Sequence, residues 1–458
     1  MPEISLVLRV EQASRDLAEV QNEMNKILAD KIGVQLKLVP IPSDSYNQQL
    51  NLMLLKNEPL DLFVTVTSDE INHMVLNWLL YPLADLLDSS GPDIKQAIGI
   101  PLLDSLKING DIYSIPSVRD WATSYGIIMR KDLADKHRID PASIRTMDDV
   151  EKALQTIKER EPGIVPIVPF QPSSIYSGLS GGTYDRLEDG LGILPDYDND
   201  LKVVNLYETD DYSNAINRIR SWYLAGYVAK DAAVSSDNGR ELVRAGKAFS
   251  YFTPIKPGVE EQESRLTGKA MIAAPLTSPT MTSSTIKLFG MSLSARSQHP
   301  QKAMELLNLL YSDSALLNLL NYGIEGKHYI KKTDQVIAYP PGVDSSDLGY
   351  SFHNYEVGNQ FISSIWETDD PDIWKKMNVF NQKAKKSKAL GFSYDANPVG
   401  TEISAVQEVL DRYLSGLETG TLDPAETLPE LQTALKAAGI DKIIAEKQKQ
   451  LDEWAKQQ

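Results

Sequence analysis

A chain of 458 residues with 42% hydrophobic and 24% charged side chains is too long for one ordinary core and too apolar for disorder, so two or three compact units are expected. Its 63 acidic against 46 basic residues give a formal net charge of -17, which repels phosphate backbones and argues against a nucleic-acid partner. The absence of cysteine excludes disulfides, thiolate metal sites and cysteine nucleophiles, and no run reaches the roughly 18 apolar residues a membrane-spanning helix needs.

Strands and helices alternate from the start. ISLVLRV (4–10) is a short apolar strand with no positively charged leader before it, so any signal peptide has been removed or was never there. In DLAEVQNEMNKILADKIG, Leu17, Val20, Met24, Ile27 and Leu28 share one helical face, and Gly33 ends it. VQLKLVPI is a second strand, SYNQQLNLMLLKNE a second helix and LDLFVTV a third strand that gives way to TSDE. This βαβαβ order builds an open, mostly parallel sheet with helices on both faces, and ligands sit beyond the carboxyl ends of such strands. The segments to watch are therefore EQASRD after the first strand and TSDE after the third.

Trp78 follows in VLNWLLYPLADLL, where apolar neighbours predict burial. GDIYSIPSV and YGIIMRKDL read as strands around the polar insert RDWATS, and TMDDVEKALQTIKER as an amphipathic helix that Thr146 can cap, with Asp148 and Asp149 in its first turn. GIVPIVPFQP, AGKAFSYFTP and IKLFGMSLSA read as further strands, and AINRIRSWYLAGYV as a helix whose Trp222 and Tyr223 pack inward. GLSGGT (178–183) lacks a lysine and does not follow a clean strand, so it is a loop and not a phosphate cradle. NYGIEGKHY (321–329) stops a helical pair: Gly323 and Gly326 can take positive φ and fix Tyr322, Glu325 and Tyr329 in a turn. NQKAKKSK (381–388) reads as a solvated helix face, and no repeat of fixed period occurs.

INGDIYSIP followed by YGIIMRKDL, TMDDVEKALQTIKEREPG and FGMSLSARSQHPQKAMELLNLLYSDSALLNLLNYGIEGKHY resembles, in order and spacing, the extracellular solute-binding proteins of bacterial ABC importers. The tail, NQKAKKSKALGFSYD and GLETGTLDPAETLPELQTALKAAGIDKIIAEKQKQLDEW, is similar to the C-terminal region of a lipoprotein branch assigned to carbohydrate or complex-glycan uptake. The resemblance implies an α/β, two-lobed, type II periplasmic-binding-protein-like fold, each lobe a mixed, mostly parallel sheet flanked by helices, with the ligand cleft at the hinge. It assigns residues 1–118 and about 292–345 to an N-terminal lobe, and 119–291 and about 346–458, with the helical tail, to a C-terminal lobe. IYSIPSV and LFGMSLS would be the crossing strands. The implied function is capture of a sugar or oligosaccharide and its delivery to the membrane permease of the importer. The protein would be a cofactor-free monomer outside the cytoplasm, lipid-anchored in its full-length form.

Loops at the carboxyl ends of the strands nominate Glu11 and Ser14 after the first, and Thr67, Ser68 and Asp69 after the third. Asp120 and Trp121 interrupt an apolar strand pair where related binding proteins place acidic or aromatic ligand contacts, although Trp121 reads equally as core. Gln171 and Tyr176 in PFQPSSIY, Tyr251 and Thr253 in YFTP, and Asn359 and Trp366 complete the candidate set.

Competing readings leave fewer marks. Asp196, Asp198 and Asp200 match the first, third and fifth positions of a calcium loop, but Leu201 stands where glycine belongs and Glu208 falls one residue late, so an acidic turn without metal is expected. Five scattered histidines do not support zinc. A glycan-active enzyme needs two placed carboxylates, which a chain this acidic supplies on paper anywhere, and no nucleophile elbow or phosphate loop is present. An oligopeptide would use the same aromatic and acidic groups as a sugar, so a peptide-binding protein remains the alternative reading.

Overall fold

The strand Glu3–Val10 pairs in parallel with Gln35–Pro42 along its whole length and with Leu62–Thr65 at its centre, as the βαβαβ order requires. The helix Leu17–Lys31 makes the first crossover and buries Val20, Met24 and Leu28 against the sheet. Gly290–Leu293 then enters between Leu62–Thr65 and Ile115–Pro116, antiparallel to both, and completes five strands.

The computed structural model describes residues 1–56, 60–179, 182–343 and 348–457, so GLSGGT and the end of the second predicted helix lie partly outside the described residues. These residues divide into two compact units. The first comprises Met1–Trp121, Ser283–Asn378 and Gly391–Ser393, and the second Ala122–Thr282, Val379–Leu390 and Tyr394–Gln458. This shifts the expected boundaries by a few residues at Trp121 and Ser283 and most at residues 348–378, which belong with the first unit. The cause is local, because Val118 bridges to Asn359 and its amide donates to the Gly358 carbonyl at 2.9 Å.

In the second unit Ser124–Arg130 is central, with Met271–Pro275 and Ala248–Ile255 antiparallel on its two sides and Val165–Ile167 parallel to the latter. The sheet is mixed, with antiparallel pairing in the majority where mostly parallel pairing was expected. Gly126 permits its closest approach, since a Cβ there would lie 2.3 Å from the Ala274 carbonyl oxygen. The helix Met147–Arg160 carries the predicted cap as a full box, Thr146 and Asp149 each accepting from the other's backbone amide. Trp222 is buried and stacks on Phe252, while Tyr223 is only half-buried. Helices Gly400–Glu418, Pro424–Ala438 and Ile440–Ala455 pack on one another, and the first two pack on Asp210–Leu224. NQKAKKSK is not one helix face: the helix Ile373–Lys383 ends inside it, and Lys385–Lys386 pairs with Thr280–Met281.

Trp78 is 86% exposed, contrary to the burial its neighbours suggested. The helix Ser68–Leu76 ends in a Schellman turn: the Leu79 amide donates to the Met74 carbonyl and the Trp78 amide to that of Val75. Trp78 occupies the left-handed position of that turn, with φ 57°, and its side chain is thereby rotated off the apolar face. NYGIEGKHY is the fixed turn the glycines suggested, with Gly323 at φ 81° and Gly326 at φ 82°. Buried His328 holds it, accepting from the Ile324 amide at Nδ1 (2.8 Å) and donating from Nε2 to Asp16 (3.0 Å). Glu325 pairs with Lys331 at the surface.

Two outcomes are expected. Trp78→Gly should leave stability unchanged or raise it by up to about 1 kcal/mol, because glycine adopts the left-handed conformation freely and little burial is lost; a urea midpoint that falls instead would place the indole in a packing role. The Asp16 carboxyl is held below its ordinary value of 3.8, chiefly by the His328 bond, so its contribution is complete above that value and is lost as pH falls through the lower folded-state pKa. His328→Ala should cost about 1–3 kcal/mol at pH 7, through the orphaned Ile324 amide and lost pair, and should flatten the acid limb of the stability profile.

Candidate functional site

Arg9 is a charge near the end of an otherwise apolar strand, EISLVLRV. A guanidinium there needs a counter-charge, and Glu356 supplies it: Arg9 Nε and Nη2 donate to Glu356 Oε1 at 3.1 and 2.8 Å, with the Glu356 side chain 0% exposed. His353 Nδ1 lies 3.1 Å from the same oxygen, and its Nε2 is 3.5 Å from Glu11. The imidazole stacks on Tyr355 with centroids 5.5 Å apart, and Tyr355 meets Phe289 at 5.2 Å. The guanidinium carbons of Arg9 and Arg119 each stand 5.5 Å from the Phe289 ring centroid. Arg119 also pairs with Asp120 at 2.7 Å.

The result is a half-buried patch of two aromatic rings and one imidazole, edged by two guanidinium groups and by carboxylates, beyond the carboxyl ends of the first sheet's parallel strands. Phe289 is locked into it. Its φ is +63°, a strained conformation for a phenylalanine, and its backbone is held by bonds from its amide to Val66 and from the Ser117 amide to its carbonyl.

Among the described residues, the buried Glu356 Oε2, Glu70 Oε1 and Ser68 Oγ near this patch have no hydrogen-bond partner within the protein, as is also true of the side-chain amide of Asn321 elsewhere in the unit. Burial pushes the Glu70 carboxyl above its ordinary range, against the opposing bonds from the Val66 and Thr67 amides. Burial likewise raises the Tyr355 phenol, with Glu356 adding to the effect. The patch thus offers ring faces for C–H groups, carboxylates to accept from hydroxyls, and guanidinium groups to donate to ring and hydroxyl oxygens. A polyhydroxylated ring has all three complements.

The second unit has its own pocket, of ≈ 760 Å³. Tyr176, Leu179 and Thr183 line one side, Leu276 and Thr277 follow the strand Met271–Pro275, and Arg218 comes from the helix Asp210–Leu224. Arg218 pairs with Asp148 at 2.7 Å and lies 3.3 Å from Glu151, so its charge is balanced at the pocket wall. The Tyr176 ring packs edge-on against Tyr212 at 5.1 Å, and its hydroxyl contacts that of Tyr184 at 3.3 Å.

Of the sequence candidates, Glu11 and Asp120 join the first patch and Tyr176 lines the second-unit pocket. Ser14 instead ties down Ser351, exchanging bonds with its carbonyl and amide; Thr67 caps the helix Ser68–Leu76, and Asp69 is an exposed first-turn acid of that helix. Gln171 is exposed on the loop that leads to Tyr176. Trp121 resolves to core: it is buried, and its indole donates to the Ser117 carbonyl at 2.8 Å. Tyr251 and Thr253 are buried in the second sheet, with the Tyr251 hydroxyl bonded to Glu263 at 2.7 Å. Asn359 caps the turn Gln360–Ile362, and Trp366 packs against Tyr339 and Tyr322. The acidic turn pairs Asp196 and Asp198 with Lys385, and among the described residues no acidic or histidine group is arranged to hold a metal.

Sequence reasoning missed Arg9, Arg119, Phe289, His353, Tyr355 and Glu356. A lone arginine in an apolar strand was the available signal for the first of them.

Comparison with known proteins follows the same lines. Residues 16–316 match the model of the bacterial extracellular solute-binding protein family, and residues 388–456 match a domain of unknown function, DUF3502. A carbohydrate ABC transporter substrate-binding protein of Streptococcus pneumoniae is 28% identical over 448 residues, covering 96% of this chain and 89% of the relative. Lipoprotein LipO of Bacillus subtilis is 26% identical over 333 residues, 66% of this chain and 63% of the relative. Among solved structures, the N-glycan transport solute-binding protein NgtS of Streptococcus pneumoniae superposes with a TM-score of 0.88 at 25% identity, over 100% of this chain and 99% of its own. Its complex with Man1GlcNAc gives 0.77 at 26% identity, with 100% of both chains covered. The matched model spans well over half of the sequence, and the chain belongs to the bacterial extracellular solute-binding protein family.

Proposed function

We propose that this chain captures an oligosaccharide outside the cytoplasm and delivers it to the membrane permease of an ABC importer. The observation that carries the reading is the likeness, over the whole chain, to an N-glycan transport solute-binding protein seen in complex with Man1GlcNAc and with Man5GlcNAc. The first-unit patch supports it chemically, because aromatic faces edged with carboxylates and guanidinium groups suit a pyranose. Binding without turnover is part of the proposal, and so is action as a monomer. A lipid anchor on the full-length protein is supported by the lipoprotein among its relatives. No helix among the described residues is long and apolar enough to cross a membrane.

Thermal unfolding and calorimetry with Man1GlcNAc, Man5GlcNAc, maltotriose and a mixed pentapeptide test this directly. At a hundredfold excess over its dissociation constant a ligand should stabilise the native state by about 2.7 kcal/mol. Stabilisation by the mannose-containing glycans, with intact glycan recovered, is the expected result. Stabilisation by the peptide alone would move the chain to peptide uptake, and recovery of cleaved glycan would make it an enzyme. Phe289→Ala and Tyr355→Ala should each weaken glycan binding about tenfold, or about 1.4 kcal/mol; unchanged affinity in both would remove the patch from the site.

A further inference from the structure

The C-terminal region matched by the domain of unknown function contributes three helices to the second unit, and their polar side chains reach into one stretch of it. Lys447, fully buried, bonds to Asp189 and to the carbonyls of Leu187 and Gly192. Gln448 accepts from the Val203 amide at 2.7 Å and donates to the Leu201 carbonyl at 3.0 Å, and Gln432 donates to the Tyr207 carbonyl at 2.7 Å. Glu418, the last residue of the helix Gly400–Glu418, takes the start of the same stretch: its carboxylate accepts from the Ser174 hydroxyl and, at 3.3 Å, from Tyr212, while its backbone carbonyl accepts from the Ile175 amide at 3.0 Å. The described residues of the stretch these four residues hold have little regular structure, two 3-10 turns at Tyr176–Gly178 and Leu206–Glu208 and the two-residue strands Tyr184–Asp185 and Leu194–Pro195. It also supplies the Tyr176 side of the pocket.

We infer that the C-terminal helical region is the scaffold of the second-unit pocket, and that Glu418 is a positioning residue that sets Tyr176 through Ser174 and Tyr212. The inference rests on the proposed carbohydrate-binding function, and extends it by taking this pocket as part of the binding apparatus. Ser174 and Ile175 immediately precede Tyr176, so a bond to each fixes the entry to its turn. Tyr212 is the ring against which Tyr176 packs edge-on, and Tyr207 packs edge-on against Tyr212 from another side. One residue therefore holds the segment before the pocket tyrosine, its carbonyl through the Ile175 amide and its carboxylate through the Ser174 hydroxyl, and the same carboxylate holds the ring beside it.

A carboxylate can accept two hydroxyl bonds at once; its protonated form must turn one oxygen into a donor. The groups facing Glu418 are the phenols of Tyr176, Tyr207 and Tyr212, the Ser174 hydroxyl and the more distant Arg186 guanidinium. Burial is the main influence and lifts its carboxyl to about 7, only partly opposed by Ser174, Tyr212 and Arg186. The pocket's set then changes in the neutral range, so affinity falls in a single step on acidification.

Glu418→Gln and Ser174→Ala separate this from a role in folding alone. Hydrogen exchange at residues 171–179 should quicken at least tenfold in both variants at pH 8 while the strand Ala248–Ile255 keeps its protection, with no ligand present. Binding of Man1GlcNAc should weaken at least tenfold at pH 8 in Glu418→Gln, and the wild-type affinity step between pH 6 and 8 should vanish. Unchanged exchange in both variants overturns the positioning role. Faster exchange with unchanged affinity and an intact pH step overturns the link to the pocket. If the wild type binds neither Man1GlcNAc nor Man5GlcNAc, the carbohydrate reading fails, and the exchange comparison alone decides whether Glu418 holds the turn.

Discussion

The ion pair between Arg9 and Glu356 organises the first unit's functional face. A guanidinium at the end of an apolar strand and a carboxylate shielded from water are each costly alone, and each is tolerable because the other is there. Their meeting brings a late segment of the chain to the end of the first strand, and with that segment come His353 and Tyr355. Phe289, with two guanidinium groups near its ring, completes the patch with its backbone in a strained conformation held by surrounding bonds. Remove the pair and the aromatic surface loses the contact that draws its parts together.

The second unit reaches a comparable end by other means. Its pocket is walled by a stretch that forms almost no regular structure, and such a stretch holds its shape only if its backbone groups find partners elsewhere. Buried side chains of the C-terminal helices provide them, with the ammonium of Lys447 bonded to two carbonyls and a carboxylate and the carboxylate of Glu418 to two hydroxyls. An otherwise apolar helical bundle would have no reason to place such groups inward.

Much of the architecture is legible from local signals because those signals have local causes. The alternation of strand and helix periods located Glu3–Val10, Leu17–Lys31 and Gln35–Pro42, and the capping residues of TMDDVEKALQ located Met147–Arg160. Trp78 was misread because its burial depended on which residue closed the helix, and a left-handed tryptophan carries no compositional mark. The antiparallel pairing in the second sheet depends on partners more than a hundred residues apart, about which strand periodicity says nothing. Of the residues nominated from the sequence, Glu11 and Asp120 stand at the patch and Tyr176 at the second-unit pocket, whereas the aromatic patch as a whole was invisible because its members are assembled from four separate segments. Tyr251 shows the converse: an aromatic followed by a turn signal looks like a ligand contact, yet its hydroxyl is already committed to Glu263.

The discontinuity of the first unit has a consequence for how the chain reaches this state. Leu62–Thr65 lies beside Gly290–Leu293, and everything between Ala122 and Thr282 belongs to the other unit. A chain emerging from its N-terminus therefore carries an unpaired strand edge until the whole second sheet has been made. Contacts of such high sequence separation form slowly, and an unpaired apolar edge is open to wrong partners during the wait. That delay has a mechanical side: the first unit cannot close early, and the chain stays extended and threadable until its later residues arrive.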